Sequence, residues 1–232
     1  MKTRILVWDL PVRLFHWLLV ACFAGAWLTS ESERWRDVHA MLGYTLLGLI
    51  AFRVAWGFAG TRYARFSQFL AGPAAVRDYL FGLVRGSGAH HIGHNPAGAV
   101  AIVLLLGLGV LVGLSGWATF NDLGGDFVEE VHEVLASGML AVVVVHVAGV
   151  AASSLLHREN LVRAMVDGHK QGEAAEGIRG ARPLIAAAMV AAVVAFWTGA
   201  DWSGGGTGPA AAAIESLPHP TPHGRPHRED DD

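Results

Sequence analysis

Residues 131–149 read VHEVLASGMLAVVVVHVAG, an apolar run with a histidine close to each end. His132 and His146 are 14 residues apart, which corresponds to a rise of about 21 Å in an α-helix. Fourteen steps of about 100° fall about 40° short of four full turns, so both imidazoles lie on one face of that helix. A membrane helix needs about 20 mostly apolar residues. The pattern therefore predicts a membrane span that carries two ionisable side chains at different depths.

Working outward from this run, the chain has further apolar stretches of similar length. A hydrophobic content of 53% and a charged content of only 16% agree with them. The predicted fold is all-α, an integral membrane four-helix bundle with a fifth transmembrane helix. The predicted spans are residues 11–29, 38–58, 96–120 and 131–156, with a shorter one at 183–200. Residues 1–170 form the predicted bundle domain, 171–200 a linker with the fifth helix, and 201–232 a disordered tail rich in Gly, Pro and His.

Charge and cysteine content exclude several classes of protein. A net charge of −3 argues against a nucleic-acid partner. One cysteine, Cys22, excludes an intrachain disulfide framework and the Cys-x-x-Cys-His attachment of a c-type haem. Residues 1–26 also resemble a cleavable signal peptide, but Arg13, His16 and Trp17 interrupt its apolar core.

The distribution of basic residues predicts the orientation of the chain in its membrane. With the N-terminus in the cytoplasm, thirteen of the 17 Lys and Arg residues fall on the cytoplasmic side, as the positive-inside rule requires. The C-terminus is then periplasmic. The cytoplasmic loop 59–95 is predicted to lie partly along the membrane surface as an amphipathic helix.

Four histidines in the predicted spans fall at two depths. His39 and His132 lie near the periplasmic side, whereas His16 and His146 lie toward the cytoplasm. Ionisable residues within a span are costly and indicate function. A haem iron takes one axial ligand on each side, so two pairs of imidazoles predict two stacked haems that carry electrons across the bilayer. His39 and His132 also fit interfacial residues without a ligand.

Several runs around these histidines resemble the bacterial cytochrome b561 family of membrane cytochromes. The similarity covers about residues 8–170 and keeps the 14-residue interval. The resemblance implies two non-covalent b haems, each with two histidine ligands, and electron exchange with a quinone. The cytochrome b subunits of nickel–iron hydrogenases and formate dehydrogenases are related. The runs are FHW at 15–17, VHAMLG at 38–43, VHEVLA at 131–136, VHVAG at 145–149 and LHRENLVRAM at 156–165.

Other polar residues are weaker candidates. His94 is first explained by a polar loop at the lipid headgroups; the alternative, which the family resemblance suggests, is that His94 or Asn95 contacts a haem propionate or a quinone. Arg53 and Arg158 are candidate partners of propionates, and the alternative is that they extend to lipid phosphates. His219, His223 and His227 recur every four residues in the tail and fit a transient metal site.

These features predict an electron-transfer protein or oxidoreductase subunit that connects a quinone pool with a periplasmic redox partner. The expected partners are membrane lipid, quinone, and a periplasmic c-type cytochrome or a dehydrogenase or hydrogenase subunit. A superoxide:quinone oxidoreductase is an alternative. A histidine-based ion or metal transporter is another, but the middles of the predicted spans contain no Asp or Glu, which such pathways usually use.

Overall fold

The structure is a computed structural model that describes residues 3–70, 72–85 and 91–199. The predicted disordered tail, its three histidines and the predicted periplasmic C-terminus lie outside these residues. Seven α-helices and two short β-strands are present in the described part of the chain. The helices are α1 (Leu10–Thr29), α2 (Arg36–Ala59), α3 (Pro73–Val84), α4 (Pro96–Phe120), α5 (Gly125–His157), α6 (Leu161–Asp167) and α7 (Pro183–Gly199); the strands are β1 (Thr3–Leu6) and β2 (His169–Gly172).

The all-α membrane fold is confirmed, since α1, α2, α4 and α5 are each long and apolar enough to cross a membrane. α1 and α4 begin in the same way. Asp9 accepts a hydrogen bond from the backbone N–H of Val12 (2.8 Å), and Asn95 accepts one from Gly98 (2.7 Å). A proline follows each cap near the first helical position, where its missing N–H costs nothing.

The four helices pack in a row, with α1 against α2, α2 against α4, and α4 against α5. Side chains of α1, α2, α5 and α7 form the main core, and Leu46, Leu49, Ile50 and Met139 are almost fully buried there. On α5, Val134, Val144, Val145 and Val147 are instead largely exposed. An apolar exterior is what lipid tails require of a spanning helix.

α7 is the fifth predicted helix, and it packs on α1. Its 17 residues make it shorter than the other four, so a full crossing stays a prediction. Trp197 near its end donates a hydrogen bond from Nε1 to Thr45 Oγ1 of α2 (2.8 Å). The Thr45 hydroxyl in turn donates to the carbonyl of Met41 (2.7 Å). α7 is therefore fixed to the bundle along both α1 and α2.

The sequence did not predict the small sheet. β1 pairs with β2 in antiparallel register, Thr3 opposite Gly172 and Leu6 opposite His169. The backbone N–H groups of Val7 and Trp8 then donate to the carbonyl of Gly168. Gly168 has φ +81°, in the left-handed region that favours glycine, and it ends α6. We call this assembly, residues 3–9 and 161–178, the cap.

The cap has its own buried core, separate from that of the spans. Ile5, Val7, Trp8 and Ala164 of the cap are buried in it, together with Val12 of α1. The Lys170 side chain is only 3% exposed and pairs with Glu159 (Nζ to Oε2, 3.1 Å). Lys170 also donates to the carbonyl of His91 (3.0 Å). A buried ion pair with these further bonds ties the cap to the loop before α4.

The two ends of the bundle differ in charge. The acidic end, residues 30–38 and 121–133, has eight acidic and two basic residues. The basic end, residues 3–9, 59–95 and 157–182, has ten basic and six acidic residues. α3 lies at the basic end and packs against α4, with Leu80, Phe81 and Arg77 exposed. That mixture of side chains is typical of a helix at a membrane surface.

Candidate functional site

His39 of α2 and His132 of α5 face each other near the acidic end. Their ring centroids are 6.2 Å apart and their planes are 81° from parallel. His39 Nδ1 lies 2.9 Å from the carbonyl oxygen of Ala26. His132 Nδ1 lies 3.1 Å from the carbonyl oxygen of Val112. A carbonyl can only accept, so each Nδ1 carries the proton and each Nε2 keeps a free lone pair.

Glycines leave room around these two imidazoles. A Cβ at Gly116 would lie 2.8 Å from Cε1 of His132, which is closer than real Cβ atoms approach other side chains. The absence of a side chain there sets the position of the His132 ring. Gly43, one turn after His39, would place a Cβ with no atom within 4 Å. Open space beside an imidazole is what a flat macrocycle bound to that imidazole requires.

The second pair, His16 of α1 and His146 of α5, lies toward the basic end. Within the described part of the chain, the buried side-chain nitrogens without a hydrogen-bond partner are His16 Nδ1, Arg13 Nε, Arg53 Nη1 and His94 Nδ1. Unpaired buried polar atoms are costly. An anionic or hydrogen-bonding group placed among them would relieve that cost.

Arg53 is buried near the end of α2 and contacts several side chains. Its guanidinium lies over the rings of Phe66 (5.2 Å) and Phe69 (6.0 Å), and it interacts with the carboxylate of Asp9. Because Nη1 is still without a partner, the guanidinium has one donor available for an anion. The sequence had suggested Arg53 as a candidate, but not its aromatic surroundings.

Asp9 is a buried residue that the sequence analysis missed. Its Oδ2 accepts hydrogen bonds from Trp56 Nε1 (3.1 Å) and Thr61 Oγ1 (2.6 Å), while Oδ1 caps α1. An Asp two residues before Pro11 is the signature of a helix start. This signal predicts that Asp9 is the N-cap of α1. It does not predict the hydrogen bonds that Asp9 accepts from residues at the end of α2 and just after it.

His94 lies between two aromatic rings, with centroid distances of 4.5 Å to Trp8 and 4.6 Å to Phe69. Burial, together with the charges of Arg53, Lys170 and His146, lowers the pKa of His94 to about 3. The imidazole is thus neutral at physiological pH. A neutral imidazole with a buried, unpartnered Nδ1 can donate or accept a hydrogen bond.

Arg158 is placed differently from the other candidates. It ends α5 in the left-handed conformation, with φ 50°, and its side chain is exposed. It is therefore not part of the buried group around Arg53 and His94. Its contact with a propionate stays a prediction.

The donors of the first pair, His39 and His132, fit haem b. With metal–nitrogen bonds of about 2 Å, two imidazoles on opposite sides of one metal have centroids about 6 Å apart, close to the value for His39 and His132. In the described residues, no three His, Cys, Asp or Glu side chains converge on a point that could hold a metal ion. A haem needs only two protein ligands, because the macrocycle supplies the other four. The arrangement suits haem better than a bare cation.

A family model described as prokaryotic cytochrome b561 matches residues 7–168. The chain belongs to the prokaryotic cytochrome b561 family. It is therefore a multi-pass membrane b-type cytochrome of electron transfer, with haem b as its cofactor. The family match ends before α7, so that helix lies outside the family pattern.

Curated relatives carry a consistent name. A "Probable Ni/Fe-hydrogenase B-type cytochrome subunit" of Rhodobacter capsulatus is 22% identical over 73% of this chain and 82% of its own length. The protein of that name from Azotobacter vinelandii is 27% identical over 72% of this chain and 88% of its own length. A "Probable Ni/Fe-hydrogenase 1 B-type cytochrome subunit" of Escherichia coli K12 is 28% identical over 50% of this chain and 60% of its own length. No solved structure matches the chain.

Proposed function

We propose that this cytochrome holds two haem b groups, one ligated by His39 and His132 and the other by His16 and His146. The observation that carries the proposal is the geometry of the first pair. Two rings from different helices face each other at 6.2 Å, and a backbone carbonyl fixes the proton of each on Nδ1. Hydrogen bonds from the ring nitrogen that does not bind the metal orient metal-binding histidines.

At the basic end, Arg53 is the proposed partner of a haem propionate, since its guanidinium is buried with Nη1 free. Arg13 Nε is a second buried donor that has no hydrogen-bond partner. Charge-assisted bonds from guanidinium to carboxylate are among the strongest in proteins. Arg158 is exposed at the end of α5. It is a further candidate partner for a propionate at the outer edge of the same haem.

The proposed activity is electron transfer between a quinone and a redox partner on the opposite side of the membrane. Haem supplies reversible one-electron chemistry when bound. His94 is the proposed quinone contact, because its neutral imidazole can hydrogen-bond a quinone oxygen while Trp8 and Phe69 hold the ring in place. Both rings also exclude water from that position.

The proposed orientation places the basic end in the cytoplasm and the acidic end in the periplasm, following the positive-inside rule. The proposed partner is a hydrogenase or dehydrogenase subunit, or a c-type cytochrome. The names of the relatives support the hydrogenase subunit.

Haem quantification with a dithionite-reduced minus oxidised spectrum tests the ligand assignment. The purified wild-type chain is expected to contain two low-spin haems. His39→Ala and His132→Ala should each lose the acidic-end haem, and His16→Ala and His146→Ala the basic-end haem. His169→Gln is the control, because that imidazole lies in the cap and its Nδ1 is paired with the carbonyl of Asp167. Two six-coordinate low-spin haems in all four alanine variants would refute the assignment.

A further inference from the structure

The acidic end carries a charged surface that haem ligation does not use. None of its eight acidic side chains forms an ion pair with another residue in the described part of the chain. The two arginines at this end lie over aromatic rings, Arg34 over Trp35 (5.6 Å) and Arg36 over Phe120 (5.5 Å). With eight carboxylates against two guanidiniums, this end keeps a net charge of −6.

Large apolar side chains stand among these carboxylates. Phe127 is 72% exposed, Trp35 48% and Leu123 46%. All three lie outside the predicted apolar stretches 38–58, 96–120 and 131–156, at the same end of the bundle as the carboxylates. An exposed aromatic anchor inside a polar rim is typical of a protein–protein interface.

This surface lies directly above the first histidine pair. α5 begins at Gly125 and reaches His132 only after two turns. Asp126, Phe127, Glu129 and Glu130 lie on those turns, and Asp126 is about 9 Å from His132 along the helix axis. A protein bound to these turns would therefore lie within about two helical turns of His132.

Two other occupants fit less well. A single metal ion would need converging ligands, and in the described residues no group of three is placed to hold one. An anionic membrane surface attracts basic segments and would repel eight unpaired carboxylates.

We propose that the acidic end is the docking surface for a redox protein whose own redox group is surrounded by Lys and Arg. The carboxylates steer that protein into position, and Phe127 anchors it above His39 and His132. This inference rests on the proposed function, because it assigns the surface through which electrons enter or leave the acidic-end haem.

The test uses the full-length holoprotein in nanodiscs of zwitterionic lipid, with a soluble lysine-rich c-type cytochrome as the probe. Binding is measured on immobilised nanodiscs over a range of ionic strength. Asp126→Asn/Glu129→Gln/Glu130→Gln should weaken binding at least about tenfold at low salt and flatten its salt dependence, since steering by charge is lost. Phe127→Ala should speed dissociation without changing the salt dependence.

Matched controls separate charge from folding. The variant Asp126→Glu/Glu129→Asp/Glu130→Asp keeps the charges and should bind like the wild type. Asp78→Asn removes a carboxylate at the basic end, where Asp78 is exposed, and should also have no effect. Haem content is measured for every variant. Wild-type binding by the neutralised triple variant, or equally tight binding of an acidic redox protein, would overturn the inference.

A second measurement distinguishes this inference from the proposed function. Electron transfer from the dithionite-reduced wild-type protein to the bound probe is followed by stopped flow. If the probe binds through the acidic end but receives no electrons, the docking surface stands and the proposed electron path fails. If electrons pass at the same rate in the neutralised triple variant, the electron path stands and the docking surface fails.

Discussion

At the scale of single residues, the position of each imidazole depends on its neighbours more than on its own helix. His132 is oriented by the carbonyl of Val112 and the hydroxyl of Ser115, both on α4. Gly116 of the same helix leaves the space into which the ring fits. The histidine is thus a feature of the α4–α5 interface, which the spacing along α5 alone does not reveal.

Gly116→Ala is expected to displace the His132 ring, because the new methyl group would lie within 2.8 Å of Cε1. If the proposed haem is bound by His39 and His132, haem content per chain should fall, or the iron at the acidic end should change its spin state in the optical spectrum. Gly107→Ala is the matched control on α4, where a Cβ meets no atom within 4 Å. Equal haem content and identical spectra in the two variants would contradict the role of Gly116.

His94 makes the folded chain sensitive to acid. Its folded-state pKa is about 3, against about 6.5 when unfolded. Between these values the unfolded chain binds a proton that the folded chain does not, so stability falls as the pH drops below about 6.5. Arg53, Lys170 and His146 face the imidazole and oppose its protonation.

His94→Gln should therefore reduce the acid sensitivity of the protein. At pH 5 the titration of His94 costs the wild type about 2 kcal/mol relative to neutral pH. Thermal unfolding midpoints in detergent at pH 7 and pH 5 measure the effect. The decrease in the unfolding midpoint from pH 7 to pH 5 should be smaller in the variant than in the wild type, even if the variant is less stable at both pH values. A drop of the same size in both proteins would show that His94 is already protonated or exposed.

At the scale of elements, hydropathy predicted the four spans to within a few residues, and α4 matches its predicted bounds. α5 begins six residues before the predicted start at 131. Asp126, Glu129 and Glu130 look like loop residues to a hydropathy criterion, but a helix outside the membrane tolerates them. An acidic residue in the first turn is even favourable there.

The two strands could not have been predicted from their own sequences. TRIL and HKQG are four residues each and show no clear alternation of apolar and polar residues. Their stability comes from pairing across more than 160 residues of chain. The same is true of the surroundings of His94, because Trp8 and Phe69 reach it from distant segments. Patterns along the sequence therefore identified the histidines but not their environments.

The attachment of α7 predicts a measurable interaction energy between Trp197 and Thr45. Trp197→Phe removes the donor of the 2.8 Å bond, and Thr45→Val removes the acceptor. Hydrogen bonds between membrane helices contribute about 0.6 kcal/mol on average and up to about 2. A double-mutant cycle on unfolding in detergent should give a coupling energy in that range. Trp27→Phe combined with Thr45→Val is the control pair, and a coupling of zero for Trp197 and Thr45 would show that α7 is not held there.

At the scale of the whole molecule, the charge difference between the two ends predicts the orientation in the membrane. The only cysteine, Cys22, is buried, so a cysteine introduced elsewhere reports its own accessibility. Glu130→Cys at the acidic end should react with a membrane-impermeant thiol reagent added to the periplasmic side of intact cells. Gln171→Cys at the basic end should react only after the membrane is opened. The reverse pattern would invert the proposed orientation, and the unsubstituted protein gives the background.

The pairing of β1 with β2 has a consequence for biosynthesis. The first strand leaves the ribosome at once, but its partner is made only after α1, α2, α4 and α5 have been synthesised. During translation the amino-terminal segment must wait while these helices enter the bilayer. The cap can therefore close only after all four spanning helices have been made, and α7 is the one described helix that follows it along the chain.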